Sequence, residues 1–97
     1  MRVIARAALR DFAARHAETT DDLDVWYHLM KRAVYKTPHE LKENFPDASF
    51  LGDGTTVFNI GSSRLTVHMR YDLGIVFILA VETHSEYDRR NKARRKK

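Results

Sequence analysis

The feature that most constrains this chain is a change of hydrophobic period part-way along it. Up to Pro46 apolar residues recur at helical spacing, and from Ser49 onward they recur every second residue. A helical first half followed by a sheet-forming second half predicts the α+β class, in which helices cover one face of a sheet. The 97 residues suit one domain, and no repeat or linker divides them. With 43% hydrophobic and 31% charged residues, the chain is too apolar to stay disordered.

Met1 to Ala5 reads as a short strand, and Ala5, Leu9, Phe12, Ala13 and His16 then share one helical face. Thr20 is placed to cap a second helix, with Asp21 and Asp22 at the positive end of its dipole. Leu23, Trp26, Tyr27, Met30, Ala33 and Val34 form its buried stripe, so the two helices are expected to pair as an antiparallel hairpin. Thr37-Pro38-His39-Glu40 has the form of a capping box with proline at the first helical position, and opens a short third helix ending before Pro46. Beyond it, Gly52-Asp53-Gly54, Gly61-Ser62-Ser63 and Asp72-Leu73-Gly74 read as hairpin turns. They separate strands at Val57–Ile60, Arg64–Tyr71 and Ile75–Val81, with a fourth near Phe50. Ile75–Val81 is apolar throughout, as expected of a central strand covered on both faces. A last helical turn over Ser85–Asn91, capped by Thr83 or Ser85, precedes the tail.

The absence of cysteine excludes a disulfide framework, a cysteine-ligated zinc site and a thiol nucleophile, and fits a reducing compartment. Ile75–Val81 is too short to cross a bilayer, and Asp11 interrupts the N-terminal apolar stretch, so neither membrane nor targeting segment is expected and the cytoplasm is. Net charge is +4, but residues 89–97 hold seven basic groups and no acid, so the basic balance belongs to the tail. The division expected is a domain over 1–88 and a flexible basic tail over 89–97. In the tail Arg89, Arg90, Lys92, Arg94 and Arg95 are candidate RNA contacts, although a solubilising end would look the same.

Two groups of residues have chemical potential. Arg64, Thr66, His68 and Arg70 alternate with Leu65, Val67, Met69 and Tyr71, which sets basic groups along one sheet face at ~7 Å intervals. Arginines so placed can clamp phosphate oxygens and a histidine can move a proton near neutrality, while an ordinary solvated face would have the same pattern. The second group is Glu82-Thr83-His84-Ser85-Glu86-Tyr87-Asp88, where His84 and Tyr87 stand three apart on one helical face. Either they form a proton-transfer pair with Glu82 nearby, or Tyr87 packs at the core edge and His84 faces water. RNA cleavage without a metal needs such groups: a base for the 2′-hydroxyl, an acid for the 5′-oxygen and cations for the phosphate. The five histidines show no metal-ligand spacing and no glycine-rich phosphate loop is present, so no metal and no cofactor are expected.

Phe58-Asn59-Ile60-Gly61 ahead of a basic strand, and above all Thr83-His84-Ser85-Glu86-Tyr87-Asp88, give the chain a resemblance to the HigB toxins. These are RelE-superfamily mRNA endonucleases of bacterial type II toxin–antitoxin modules, and the likeness spans most of residues 1–90. It implies a RelE-like fold: an N-terminal helical hairpin on a small antiparallel sheet, with a short C-terminal helical turn. It also implies ribosome-dependent cleavage of mRNA, with Asn59, Gly61, Arg64, Thr83, His84, Glu86, Tyr87 and Asp88 at matching positions. His84 and Tyr87 are the expected chemical pair, and Asn59 and Gly61 shape the turn or meet RNA. The implied partners are a helix-turn-helix antitoxin and mRNA on the ribosome, with operator DNA reached only through the toxin–antitoxin complex. Two positions depart: relatives usually carry a basic residue where Thr66 stands, and often another where Leu79 stands. Both losses remove positive charge, for which His68 and Arg70 on the same face are candidate substitutes. Thinned charge keeps open a non-catalytic RNA- or ribosome-binding module, and a purely structural partner of a regulator would need none of these groups.

Overall fold

The structure, a computed structural model, describes the backbone of residues 1–95 and the side-chain environment of residues 1–90. A short strand β1 (Arg2–Ile4) leads into helices α1 (Ala7–Arg15), α2 (Thr20–Arg32) and α3 (Pro38–Asn44), with a 3-10 turn at Ala17–Thr19 between the first two. Strands β2 (Ser49–Gly52), β3 (Thr55–Ile60), β4 (Ser63–Arg70) and β5 (Ile75–Thr83) follow, and helix α4 (His84–Arg95) closes the chain. The α+β class is as the period change implies.

The sheet runs β1-β5-β4-β3-β2. The last four strands are an antiparallel meander, whereas β1 pairs parallel with β5, so the sheet is mixed rather than antiparallel throughout. A parallel neighbour needs a long crossover, and all three first helices lie in the chain between β1 and β5. They cover one sheet face, where Leu9, Phe12, Leu23, Trp26, Met30 and Leu41 meet Phe58, Leu65, Val67, Met69, Val76 and Ile78 in a single core. Edge-to-face aromatic contacts tie the layers: Phe58 stands 5.5 Å from Trp26 and 5.1 Å from Phe45 between ring centroids.

Several local expectations change. Thr19, not Thr20, precedes α2, and its hydroxyl donates backward to the His16 carbonyl at 2.7 Å, closing the 3-10 turn instead of capping the helix. Ala5 has φ +72° and turns the chain from β1 into α1, so it lies outside the helical face assigned to it. Val34 is 74% exposed because α2 ends at Arg32 and Ala33 is already extended. Thr37 does cap α3, accepting from the Glu40 N–H at 3.2 Å, while the Glu40 carboxylate accepts from the Lys36 N–H at 2.7 Å.

β5 is not a uniformly covered strand. Thr66 pairs with Ala80 and Val67 with Ile78, which leaves Leu79 as the extra residue of a β-bulge, 58% exposed. An extra residue reverses the side-chain alternation beyond it. Val76, Ile78 and Val81 therefore all reach the core, and Glu82 falls on the opposite face, directly across from Arg64.

Candidate functional site

The sheet face turned away from the three core helices carries Asn59 of β3, Arg64, Thr66 and His68 of β4, and Ala80 and Glu82 of β5. An uncovered face would leave its side chains wet, yet Val57 and its partner Thr66 are only 2% and 6% exposed. The element packed there is α4, which contacts both β4 and β5.

Its start is fixed by the residues of the closing motif. Thr83 and Glu86 form a reciprocal capping box: the Thr83 hydroxyl accepts from the Glu86 N–H at 3.1 Å, and the Glu86 carboxylate accepts from the Thr83 N–H at 2.9 Å. Those bonds, backbone first, with Arg15 and His16 nearby, hold the Glu86 carboxyl below the usual carboxylate range. The His84 N–H also donates to the Ser62 carbonyl at 2.9 Å, tying the helix to the β3–β4 turn. In that turn Gly61 has φ +57°, and a Cβ there would come within 2.9 Å of an Asp22 carboxylate oxygen on α2. Thr83, Glu86 and Gly61 thus have architectural work in this chain.

The remaining motif residues point two ways. His84 Nε2 lies 3.2 Å from Asp88 Oδ2, one turn on, with both side chains about half exposed. Tyr87 instead lines a cleft of about 330 Å³ together with Arg90, the floor residues Thr66, Leu79 and Ala80, and the β2–β3 turn from Leu51 to Thr55. Arg90 reaches back from α4 to Glu82 at 2.7 Å, and its guanidinium carbon sits 5.7 Å from the Tyr87 ring centre.

Of the residues picked out from sequence, Asn59, Arg64 and Glu82 lie in one cross-strand row, and Arg90 attaches to its end through Glu82. Arg64 also donates to the Ser63 carbonyl at 3.1 Å, and Asn59 to the Asp47 carbonyl at 3.4 Å. His68 is half-buried beside Phe77, opposite Thr55 on the cleft's far wall. Arg70 is not brought in: six residues along β4 from Arg64, about 20 Å away, it is held bidentately by Asp72 at 2.9 and 3.1 Å. Asp72 raises the Arg70 guanidinium and is itself lowered in return. Arg89 is exposed on α4, and the side chains of Lys92, Arg94 and Arg95 lie outside the described residues, although the helical backbone runs four residues past Asn91. Leu51, Gly52, Asp53 and Thr55 were legible in the sequence as a hairpin turn and its flanks but not as a wall of the cleft, because strand pairing brings them there.

A family model described as the RelE-like toxic component of a toxin–antitoxin system, the HigB toxin, matches residues 19–90. The chain belongs to the HigB toxin family. The match begins in the 3-10 turn before α2 and ends at Arg90, so it takes in strands β2–β5 and the first part of α4. A search of curated proteins finds no match. A HigB toxin acts within a toxin–antitoxin pair, and an antitoxin partner follows from the family. Among the described residues no helix is long and apolar enough to cross a membrane.

Proposed function

We propose that this HigB toxin is a ribosome-dependent mRNA endonuclease that cleaves without a metal, through proton transfer by α4 residues set beside Arg64 on the outer sheet face. The observation carrying this reading is the packing of α4. Its capping box and its Arg90–Glu82 bridge hold α4 on the face that carries Arg64 and Glu82, with Tyr87 in the cleft and His84 paired to Asp88 on the same helix. In the proposed reaction the 2′-hydroxyl oxygen attacks the adjacent phosphorus as its proton passes to His84, whose ring Asp88 orients. The bond to the 5′-oxygen breaks, that oxygen takes a proton from the Tyr87 hydroxyl, and a 2′,3′-cyclic phosphate remains. Arg64 stabilises the charge that builds on the phosphate oxygens in between.

We place the antitoxin, a helix-turn-helix protein that carries the pair to operator DNA, on the exposed side of α2. Val25 and Leu29 are uncovered there, between Asp21, Asp24, His28 and Arg32. The site of action is the cytoplasm.

The test is induction of the full chain in bacteria, with new transcript 5′ ends mapped for wild type, His84→Ala and Tyr87→Phe. Growth arrest with fresh cuts in translated frames, lost in both variants, is expected. Equal cutting by both variants overturns the assignment. Arrest with intact transcripts favours the binding-module reading, which the lack of positive charge at Thr66 and Leu79 supports.

A further inference from the structure

Two polar atoms of the cleft have no partner among the described residues. The Thr66 hydroxyl oxygen and Arg90 Nε are both buried and unbonded, and both residues line the same 330 Å³ cleft. A buried donor left without an acceptor is costly, more so when charged, so a pair of them in one concavity calls for an acceptor. Glu82 takes only one terminal nitrogen of the Arg90 guanidinium, at 2.7 Å, which anchors the group and leaves its Nε–H edge free. The Tyr87 ring beside Arg90 limits where it can swing. A hydroxyl and a guanidinium N–H suit an oxyanion, and Arg presents its donors in a planar fork matched to phosphate.

We propose that Arg90 is not part of the basic tail but the cleft's own phosphate-binding cation, holding a phosphodiester oxygen of single-stranded RNA between its Nε–H and the Thr66 hydroxyl. The cleft floor is Thr66 and Leu79, the two positions from which the sequence withholds positive charge, and Arg90 returns one charge to that spot from α4. Glu82 is then the residue that positions the guanidinium. This rests on the nuclease reading for the identity of the ligand, but its test does not depend on cleavage.

The probe is a tetranucleotide of single-stranded RNA methylated at every 2′-oxygen, which cannot be cut. It is titrated into the ¹⁵N-labelled full chain while the arginine Nε–Hε signals and the Kd are followed. A saturable shift of the Arg90 signal is expected. Arg90→Gln weakens binding by about tenfold or more, and Thr66→Val weakens it without removing a charge. Arg89→Gln, which deletes the same charge from the exposed side of α4, costs less than about threefold. Thr66→Arg placed in the Arg90→Gln background restores most of the affinity. Equal losses for Arg89→Gln and Arg90→Gln, or no saturable shift in the wild type, overturn the proposal. A chain that binds in this manner yet leaves transcripts intact refutes the nuclease reading alone, and one that cuts equally well with Arg90→Gln refutes the phosphate site alone.

Discussion

Thr83→Ala is the perturbation that best separates architecture from chemistry in the closing motif. Removing the hydroxyl deletes the acceptor for the Glu86 N–H at 3.1 Å and leaves the return bond from Glu86 to the Thr83 backbone in place. Loss of an N-cap side chain costs about 1 kcal/mol, a factor of about five in the opening equilibrium of the first helical turn. Because both bonds are exposed and lie outside the core, this cost falls on local opening more than on global unfolding. Amide exchange over Ser85–Asp88 should therefore quicken about fivefold, while the melting temperature moves little and cleavage falls by a similar small factor. Asn and Asp cap at least as well as Thr, so Thr83→Asn and Thr83→Asp should restore both exchange protection and cleavage. If those two variants protect the α4 amides like the wild type but cut as poorly as Thr83→Ala, then the Thr83 hydroxyl meets the substrate and the capping explanation is wrong.

Three further outcomes follow from the geometry. The depressed Glu86 carboxyl contributes stability above its ordinary value of 4.5, and that contribution is lost as pH falls through the lower folded value. The Thr83 amide signal should thus titrate on the acid side of 4.5 as α4 loosens, and Glu86→Gln should abolish that titration. Gly61→Ala meets both a positive φ and the Asp22 carboxylate at 2.9 Å, so chemical denaturation should show a loss above about 1 kcal/mol; Asp22→Ala in the same chain should recover only the part due to the clash. Arg64→Ala should cut far less than the wild type, whereas Arg70→Ala should stay within about twofold, its guanidinium being an exposed surface pair with Asp72. Matched single-turnover cleavage rates decide between the two arginines.

What the sequence made legible was local. The 3.6-residue period placed Leu23, Trp26, Tyr27 and Met30 on one face of α2, and all four are buried. The alternation of Leu65, Val67 and Met69 against Arg64, Thr66 and His68 assigned the two faces of β4 correctly, because a strand's side-chain period is set by the backbone alone. Thr37 and Glu40 announced a helix start through a spacing whose hydrogen bonds reach only three residues, and of the two caps open for the last helix, Thr83 and Ser85, Thr83 is the one whose hydroxyl accepts a backbone N–H. What was not legible depends on pairing between distant residues. The parallel seat of β1 beside β5 spans some seventy residues of chain, and periodicity has no reach over that distance.

The bulge at Leu79 shows how such a non-local feature reorganises the site. Read as an unbroken strand, β5 would alternate Val76, Ile78, Ala80 and Glu82 on one face, which would drive a carboxylate into the apolar core at heavy cost. One extra residue opposite Thr66–Val67 removes that conflict, returning Val81 to the core and delivering Glu82 to Arg64 on the outer face. Glu82 is then within reach of Arg90, and their 2.7 Å bridge draws α4 across the sheet and buries Thr66 beneath it. The placement of Tyr87 and Arg90 over the cleft thus follows from a hydrophobic requirement met within β5. Positive charge absent from the sheet at positions 66 and 79 is supplied from a different element, whereas Arg70, which the strand pattern offers in its place, is held by Asp72 at the other end of β4.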